Sequence, residues 1–400
     1  MLGLGRLGSP LAASFAKAGL RVTGYDLDPK KVLAINSGLA PVQEPGLQDA
    51  IRNAGPLLKA TTEPDQAVEG TQACICVAPT PSWPDGSFDN QYLLNGIERL
   101  VSAVCRHGSI AGGYLFVIAS TVTPGSCEKV FLPLLRRQKI LIQLAYKPEL
   151  IALGSVMEDL AHPDVALVGS TDSNATAQTA RLYARLYTHP VKFKLMSFVE
   201  AELAKISLNC AVTMKISFAN QLSMVAQHLG ADPRVILDCI GQDSRIGSKA
   251  LKPGMPYGGP CFPRDNRMFG YVAERAGVYP HLSIATDRIN KDIIQFVLAQ
   301  IPEEGDIGIL GLAYKPGTPI AEESFGSALS VALMEKGRVV KCHDPLLCPN
   351  QKSAFDCSIV IITMDSPEYR RLRFRPEQFI IDPIAVVETR QTIRRFSTAS

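Results

Sequence analysis

Gly3-Leu-Gly5-Arg-Leu-Gly8, a helical stretch running on to Gly19, and then Arg21-Val-Thr-Gly-Tyr25-Asp26 together decide the fold. A GxGxxG run that opens a helix lets the backbone approach a pyrophosphate at the helix N-terminus. An acidic residue closing the next strand can accept hydrogen bonds from the adenosine ribose, which favours NAD over NADP. The glycine spacing alone also occurs in ordinary Gly-rich turns, so the strand and Asp26 carry much of the weight. Only Met1 and Leu2 precede Gly3. Most of a normal first strand is lacking, and the sheet is expected to be badly weakened there.

Outward from this turn, residues 3–169 alternate short β-like runs with helical stretches, the rhythm of an α/β region with a mainly parallel sheet. The runs 20–25, 73–77, 115–120 and 165–168 are apolar and rich in β-branched residues. Ligands in such sheets sit beyond the carboxyl ends of the strands. Residues 197–290 lack strand-like runs, and 198–229 read as one long helix closed by Gly230. The alternation resumes at 307–310, 339–342, 359–363 and 379–381. The expected architecture is α/β, with two Rossmann-like doubly wound parallel-sheet domains, 1–190 and 301–400. A helical central domain with a long helix, 191–300, joins them. The tail after Thr389, ending Arg-Arg-Phe-Ser-Thr-Ala-Ser, is expected to be frayed.

Composition narrows the class. At about 150 residues per domain, 400 residues hold two or three cores. A net charge of +3 from 41 Lys+Arg and 38 Asp+Glu is too small and dispersed for a nucleic-acid footprint. A 46% hydrophobic content excludes disorder, and 31 Gly and 28 Pro exclude collagen-like or mucin-like chains. No apolar run is long enough to span a membrane, and no secretory leader pattern opens the chain. The ten Cys are scattered, with a Cys74-x-Cys76 pair and no CxxC, which suits a reducing cytoplasm better than disulfides or a structural metal site. The expectation is a soluble cytoplasmic protein with no metal, nucleic-acid or membrane partner.

Pro256-Tyr-Gly-Gly-Pro-Cys261-Phe-Pro-Arg-Asp265 is the most informative segment for chemistry. Two glycines before a Cys form a loop that substrate can approach closely. Asp265, four residues on, shares a site with Cys261 if a helical turn follows. Most lone Cys are small core hydrophobes, the reading adopted for Cys74, Cys105, Cys239 and Cys357. Cys261 differs because it sits among Gly and Pro rather than in an apolar periodic run. Lys205 and Asn209 lie i,i+4 on the long helix and project from one face. A desolvated Lys there could hold a substrate oxygen or take its proton, and the Asn could donate to a developing oxyanion. Taken alone, the same spacing also describes a solvated helix surface.

Taken in order, these motifs resemble the UDP-glucose/GDP-mannose dehydrogenase family, the nucleotide-sugar 6-dehydrogenases. The match takes in Gly3–Gly8 and Asp26, Glu44-Pro-Gly, Ala78-Pro-Thr80-Pro, Ser120-Thr121-Val122 and Lys147-Pro-Glu149-Leu. It continues through Lys205 and Asn209, Arg245-Ile-Gly247, Gly258-Gly-Pro-Cys261-Phe-Pro-Arg-Asp265, Gly311-Leu-Ala-Tyr-Lys315 and His343-Asp-Pro345. The resemblance implies a four-electron oxidation of a sugar C6 alcohol to a carboxylate with two NAD, UDP-glucose being the first choice of substrate. GDP-mannose and UDP-N-acetylmannosamine stay open.

It also implies roles. Lys205, or a water held by Thr121 and Asp265, removes the hydroxyl proton. Cys261 adds to the aldehyde as a thiohemiacetal that becomes a thioester. Glu149 and Asp265 activate the hydrolytic water, and Lys205 and Asn209 stabilise oxyanions. Cofactor contacts fall to Gly3, Gly5, Arg6, Leu7, Gly8, Asp26, Lys31, Pro79, Thr80 and Thr121. Substrate contacts fall to Glu149, Lys205, Asn209, Arg245, Tyr257, Gly258 and Lys315. The long helix implies a homodimer or dimer-based oligomer.

The chain departs from the family pattern at several places. Lys147 stands where Asn is common before Pro-Glu, and Pro163-Asp-Val165 replaces Pro-Asp-Arg. Pro319-Ile-Ala-Glu322 replaces an acidic pair and Arg, and Asp382-Pro-Ile384 replaces Asp-Gly-Arg. Exchanging Arg for Glu near a pyrophosphate turns attraction into repulsion unless the loop lies elsewhere. A two-electron 3-hydroxyacid or 6-phosphogluconate-type dehydrogenase would share the glycine turn and the Lys-x-x-x-Asn spacing, yet has no use for Cys261. A catalytically dead binding protein is the third reading, motivated by the short first strand and the altered Arg positions. Retention of Lys205, Asn209, Cys261, Asp265 and Glu149 argues against it.

Overall fold

The computed structural model describes residues 1–107 and 113–387, so the tail expected to fray lies outside the described residues. The chain divides into two compact units, Met1–Ile206 and Ser207–Ser400. The division falls inside the helix Phe198–His228, whose 31 residues correspond to about 46 Å.

The first unit carries seven strands: β1 Val22–Tyr25, β2 Leu58–Thr61, β3 Ala73–Cys76, β4 Tyr114–Ile118, β5 Ile142–Tyr146, β6 Ala166–Gly169 and β7 Phe193–Met196. β1 pairs with β2, and β3-β4-β5-β6-β7 form a five-stranded run, parallel except at β5/β6. The expected gap between β1 and β3 is filled by the first residues of the chain. Leu2 bridges Tyr25 on one side and Cys76 on the other, both in parallel sense. Leu2 N–H donates to Ile75 O and Val77 N–H to Leu2 O, both at 2.8 Å. On the other edge Tyr25 N–H donates to Met1 O at 2.7 Å and Gly3 N–H to Tyr25 O at 2.8 Å. Two residues before the glycine turn therefore keep the sheet continuous, and buried Leu2 packs on Gly96.

The alternation of β4 explains why both faces of this sheet are covered. Tyr114, Phe116 and Ile118 enter one apolar cluster with Leu93, Ile97 and Phe198, while Leu115 and Val117 enter another with Leu11, Phe15 and Tyr183. The runs read from the sequence as strands all form, within one or two residues. β2, β5 and β7 were not read, because Leu58-Lys-Ala-Thr61 and Phe193-Lys-Leu-Met196 carry a Lys mid-run and Ile142-Gln-Leu-Ala-Tyr146 a Gln.

The second unit has the helices Pro233–Gly241, Phe262–Arg275 and His281–Leu298, followed by a four-stranded sheet. Its strands are β8 Ile307–Leu310, β9 Val340–His343, β10 Ile359–Ile362 and β11 Phe379–Ile381. All pair in parallel in the order β11-β10-β8-β9. One face packs under the helix Phe325–Glu335 through Phe325, Leu329 and Leu333, and the other holds Ala354, Tyr369 and Phe374. Parallel-sheet Rossmann-like regions and the helical middle expected from the sequence are thus present.

Candidate active site

In the first unit the glycine turn is built by close backbone approach. Gly3 has φ +86°, and a Cβ there would lie 1.8 Å from Val77 O. A Cβ on Gly8 would lie 2.0 Å from Gly3 O, so the helix Gly8–Lys17 can enter the turn only without a side chain. Gly5 by contrast has nothing within 4 Å of a Cβ, and no side chain caps the helix. An open, uncapped helix N-terminus is the feature a diphosphate needs. Arg6 is exposed and Leu7 half-buried beside it. Asp26 Oδ2 accepts from Leu4 N–H at 2.7 Å and Oδ1 from Asp28 N–H at 2.9 Å, with Lys31 Nζ at 3.2 Å. The carboxylate is thereby locked beside the turn. These residues fit a dinucleotide.

Beyond β3 and β4 the two strand-end loops are tied together. Ala78 N–H donates to Ser120 Oγ at 2.9 Å, and Thr80 Oγ1 donates to Thr121 O at 2.7 Å. Thr80 is buried and Pro79 exposed. The same loop is gripped from the long helix: Glu202, fully buried, accepts from Gly125 N–H at 2.5 Å and Cys127 N–H at 2.8 Å. Burial pushes the Glu202 carboxyl above its ordinary value, and the two backbone donors oppose this. Glu44 ties the segment after Glu149 in the same way, accepting from Gly154 and Val156 N–H, both at 2.9 Å.

Glu149 is buried and ion-paired with Lys147, each side chain only 4% exposed. Lys147 Nζ also lies 4.2 Å from the Tyr183 ring centroid. Burial lowers the Lys147 ammonium; the Glu149 charge opposes that, and Lys205 adds to it. Lys205 is itself buried, as is Asn209 one turn further on, so neither sits on a solvated helix surface.

In the second unit Cys261 takes the N-cap position of the helix Phe262–Arg275 and is exposed. Unbonded amides at a helix start favour negative charge there. Asp265 N–H donates to Cys261 O at 2.8 Å, closing the first helical turn and placing Asp265 one turn below the thiol. Asp265 is 1% exposed; Asn209 Nδ2 donates to its Oδ2 at 2.6 Å, and Arg264 Nε lies 3.8 Å from its Oδ1. Cys210 donates to the Asp265 carbonyl, and burial pushes this second thiol up to about 12.

The loop before Cys261 is framed on both sides. Tyr257 donates its hydroxyl to Asp287 at 2.8 Å, and its backbone is paired with the Asn290 side chain at 2.8 and 2.9 Å. A Cβ on Gly258 would lie 2.2 Å from Glu323 O, and Gly259 N–H donates to Glu322 O at 2.8 Å. Glu322, which stands in the place of an Arg, thus meets the Cys261 loop through its backbone while its side chain is exposed. Its neighbour Glu323 pairs with Arg267 at 2.5 Å. Lys315 is half-buried in the turn after β8, whose Leu312 and Ala313 amides both donate to Asp344 Oδ2 at 2.9 Å. Arg245 is held by Asp243 at 2.6 Å with its side chain 85% exposed. Asp382, in the altered Asp-Pro-Ile, is buried and accepts from Val386 and Val387 N–H at 3.0 and 2.9 Å.

Sequence reading missed Glu202, Asp287 and the pairing of Lys147 with Glu149. Glu202 carried one signal: it lies three residues before Lys205, on the same helical face.

Residues 1–187 match the NAD-binding domain, and residues 199–292 the central domain, of the UDP-glucose/GDP-mannose dehydrogenase family. The chain is 32% identical over 369 residues to the UDP-glucose 6-dehydrogenase AglM of Haloferax volcanii, covering 89% of this chain and 85% of that one. It superposes on a UDP-glucose dehydrogenase of the hyperthermophilic archaeon Pyrobaculum islandicum with a TM-score of 0.91 and 29% identity, covering 100% of this chain and 97% of that one. A UDP-D-ManNAc dehydrogenase of Pyrococcus horikoshii shares the fold at a TM-score of 0.84 and 24% identity, over 99% of this chain and 98% of that one. With the glycine turn, Asp26 and the Cys261 loop in place, this chain belongs to the UDP-glucose/GDP-mannose dehydrogenase family, the NAD-dependent nucleotide-sugar 6-dehydrogenases.

Proposed function

We propose that this chain oxidises the C6 alcohol of a nucleotide sugar to the carboxylate, with UDP-glucose giving UDP-glucuronate as the first assignment. The observation that carries the reading is Cys261 exposed at a helix N-terminus, one turn above a buried Asp265 bonded to Asn209. NAD, when bound, takes up hydride from C6 in each of two oxidations. Gly3, Gly5, Arg6, Leu7, Gly8, Asp26, Lys31, Pro79, Thr80 and Thr121 would hold it.

Lys205, or a water held by Thr121 and Asp265, accepts the hydroxyl proton in the first oxidation. The Cys261 thiolate then adds to the aldehyde carbon, and Lys205 and Asn209 stabilise the oxygen of the thiohemiacetal. After the second oxidation the thioester is cleaved by water activated by Glu149 and Asp265. Arg245, Tyr257, Gly258 and Lys315 bind the nucleotide sugar together with Glu149, Lys205 and Asn209. Residues 1–190, 191–300 and 301–400 act as NAD-binding, dimerising and nucleotide-sugar-binding domains of a homodimer or dimer-based oligomer. None of the ten cysteines is in a disulfide. No helix among the described residues is long and apolar enough to cross a membrane.

NADH formed per sugar consumed, over UDP-glucose, GDP-mannose and UDP-N-acetylmannosamine and with Cys261→Ala alongside, tests the reading. Two NADH per sugar, lost in the variant, are expected. One NADH per turnover that survives loss of the thiol would replace it with a two-electron dehydrogenase.

A further inference from the structure

Lys147 is a buried cation outside the catalytic set. Its backbone N–H donates to Ile118 O at 2.8 Å, which places it at the end of β5 beside the end of β4. Its Nζ is fixed twice, by Glu149 Oε2 and by the face of Tyr183 at 4.2 Å. The opposite oxygen, Glu149 Oε1, is buried and makes no hydrogen bond of ordinary geometry. Burial and the Glu149 charge both oppose ionisation of Tyr183 and Tyr187, and the Tyr183 hydroxyl lies within hydrogen-bonding reach of that carboxylate, although not in ordinary geometry. Lys205 acts on Lys147 from the long helix, so Glu149 lies in a field of two cations. A buried carboxylate oxygen without a well-aligned donor is costly, and a water that enters with the reaction can supply one.

We infer that Lys147 is a positioning residue: it clamps Glu149 by Oε2 so that Oε1 is presented to the water that cleaves the Cys261 thioester. The inference rests on the proposed function for the role of Glu149. In that step the water oxygen bonds to the acyl carbon and its proton passes to Glu149 Oε1. The carbon–sulfur bond breaks and Cys261 leaves as thiolate, so no oxidant or reductant is consumed. Without the ammonium, the carboxylate is free to rotate and to turn toward Tyr183, and the hydrolytic water loses its acceptor.

The test uses the full chain with Lys147→Met, Lys147→Arg, Glu149→Gln and the double variant Lys147→Met/Glu149→Gln. With the sugar found to be oxidised, Lys147→Met is expected to lower kcat about 30-fold or more and the sugar KM along with it, so that kcat/KM changes less than about threefold, because the slowed step comes after the acyl adduct has formed. Mass spectrometry of acid-quenched steady-state samples should then show the acyl adduct on Cys261 accumulating, with Lys147→Arg recovering part of the rate. A drop in kcat without adduct, or an unchanged kcat, overturns the inference.

Thermal unfolding reads the clamp without turnover. Lys147→Met should melt below the double variant, because only the single change strands a buried carboxylate. Equal melting of the two would overturn the clamp. Failure of the functional reading is a different result, namely wild-type protein that forms no NADH from any sugar; the clamp is then judged on unfolding alone.

Discussion

Asn209 Nδ2 and Asp265 Oδ2 stand 2.6 Å apart in a buried hydrogen bond that ties the long helix to the first turn after Cys261. A bond from a neutral donor to a buried carboxylate is worth more than a neutral pair, and its loss leaves the acceptor desolvated. Asn209→Leu is expected to cost about 1–3 kcal/mol in urea unfolding. It should lower kcat by about 10²–10³-fold, the scale of losing one oxyanion donor. A variant that keeps kcat within twofold would remove Asn209 from the chemistry and leave it a structural tie.

Gly3 is the glycine with least room for change. Alanine there would carry φ +86° and a methyl 1.8 Å from Val77 O, so β3 must move. The left-handed backbone alone costs about 1–2 kcal/mol. Gly3→Ala is expected to lower Tm and to weaken NAD binding at least about tenfold by calorimetry, equivalent to about 1.4 kcal/mol. Wild-type affinity in a folded Gly3→Ala protein would refute the glycine-turn site.

Asp26 bonds Leu4 N–H at 2.7 Å and pairs with Lys31 at 3.2 Å. Asp26→Ala frees Lys31 and removes the acceptor for ribose hydroxyls. NAD affinity should fall about 10–150-fold, from a charged hydrogen bond of about 1.5–3 kcal/mol. The preference over NADP should narrow, since a lysine without its acidic partner welcomes a 2′-phosphate. Unchanged selectivity between the two dinucleotides would assign Asp26 to folding only.

Glu202 makes stability pH-dependent with a definite sign. Its folded value is raised above the ordinary 4.5, chiefly by burial, so the protonated form is the cheaper one to bury. Its contribution is full below about pH 4.5 and is lost as pH rises through the folded value. Glu202→Gln lacks that slope and one acceptor for Gly125 and Cys127. The difference in Tm between wild type and variant should therefore be largest near pH 4 and shrink toward pH 8. A difference that grows with pH would mean the two backbone donors outweigh burial.

Much of this fold was legible because its signals are local. The glycine spacing, the strand before Asp26 and the apolar runs of β3, β4, β8 and β10 are each read within a few residues. Cys261 stood out for the same reason, a thiol among Gly and Pro at a helix start. Strands β2 and β7 escaped because a lysine interrupts each short run, and what puts those residues in the sheet is pairing with distant strands.

Charged residues mark the limit of such reading. Lys205 and Asn209 have a spacing that equally describes a wet helix face, and only packing makes both buried. Lys147 is a departure from a motif until the fold lays it against Glu149 and Tyr183, 36 residues further along the chain. The start of the chain follows the same logic in reverse: two residues look too short for a strand, yet between β1 and β3 they are bonded on both edges.

The sequence by itself determined the alternation of strands and helices and the dinucleotide turn, and it singled out Cys261. Each of these depends on backbone freedom, periodicity or residue chemistry within one short segment. Tertiary structure alone decided which polar groups leave water and what they meet there: Glu202 with the Gly125 loop, Asp265 with Asn209, Lys147 with Glu149. The physical reason is desolvation, whose cost and compensation are set by every neighbour that packs around a group and by no property of the residue alone.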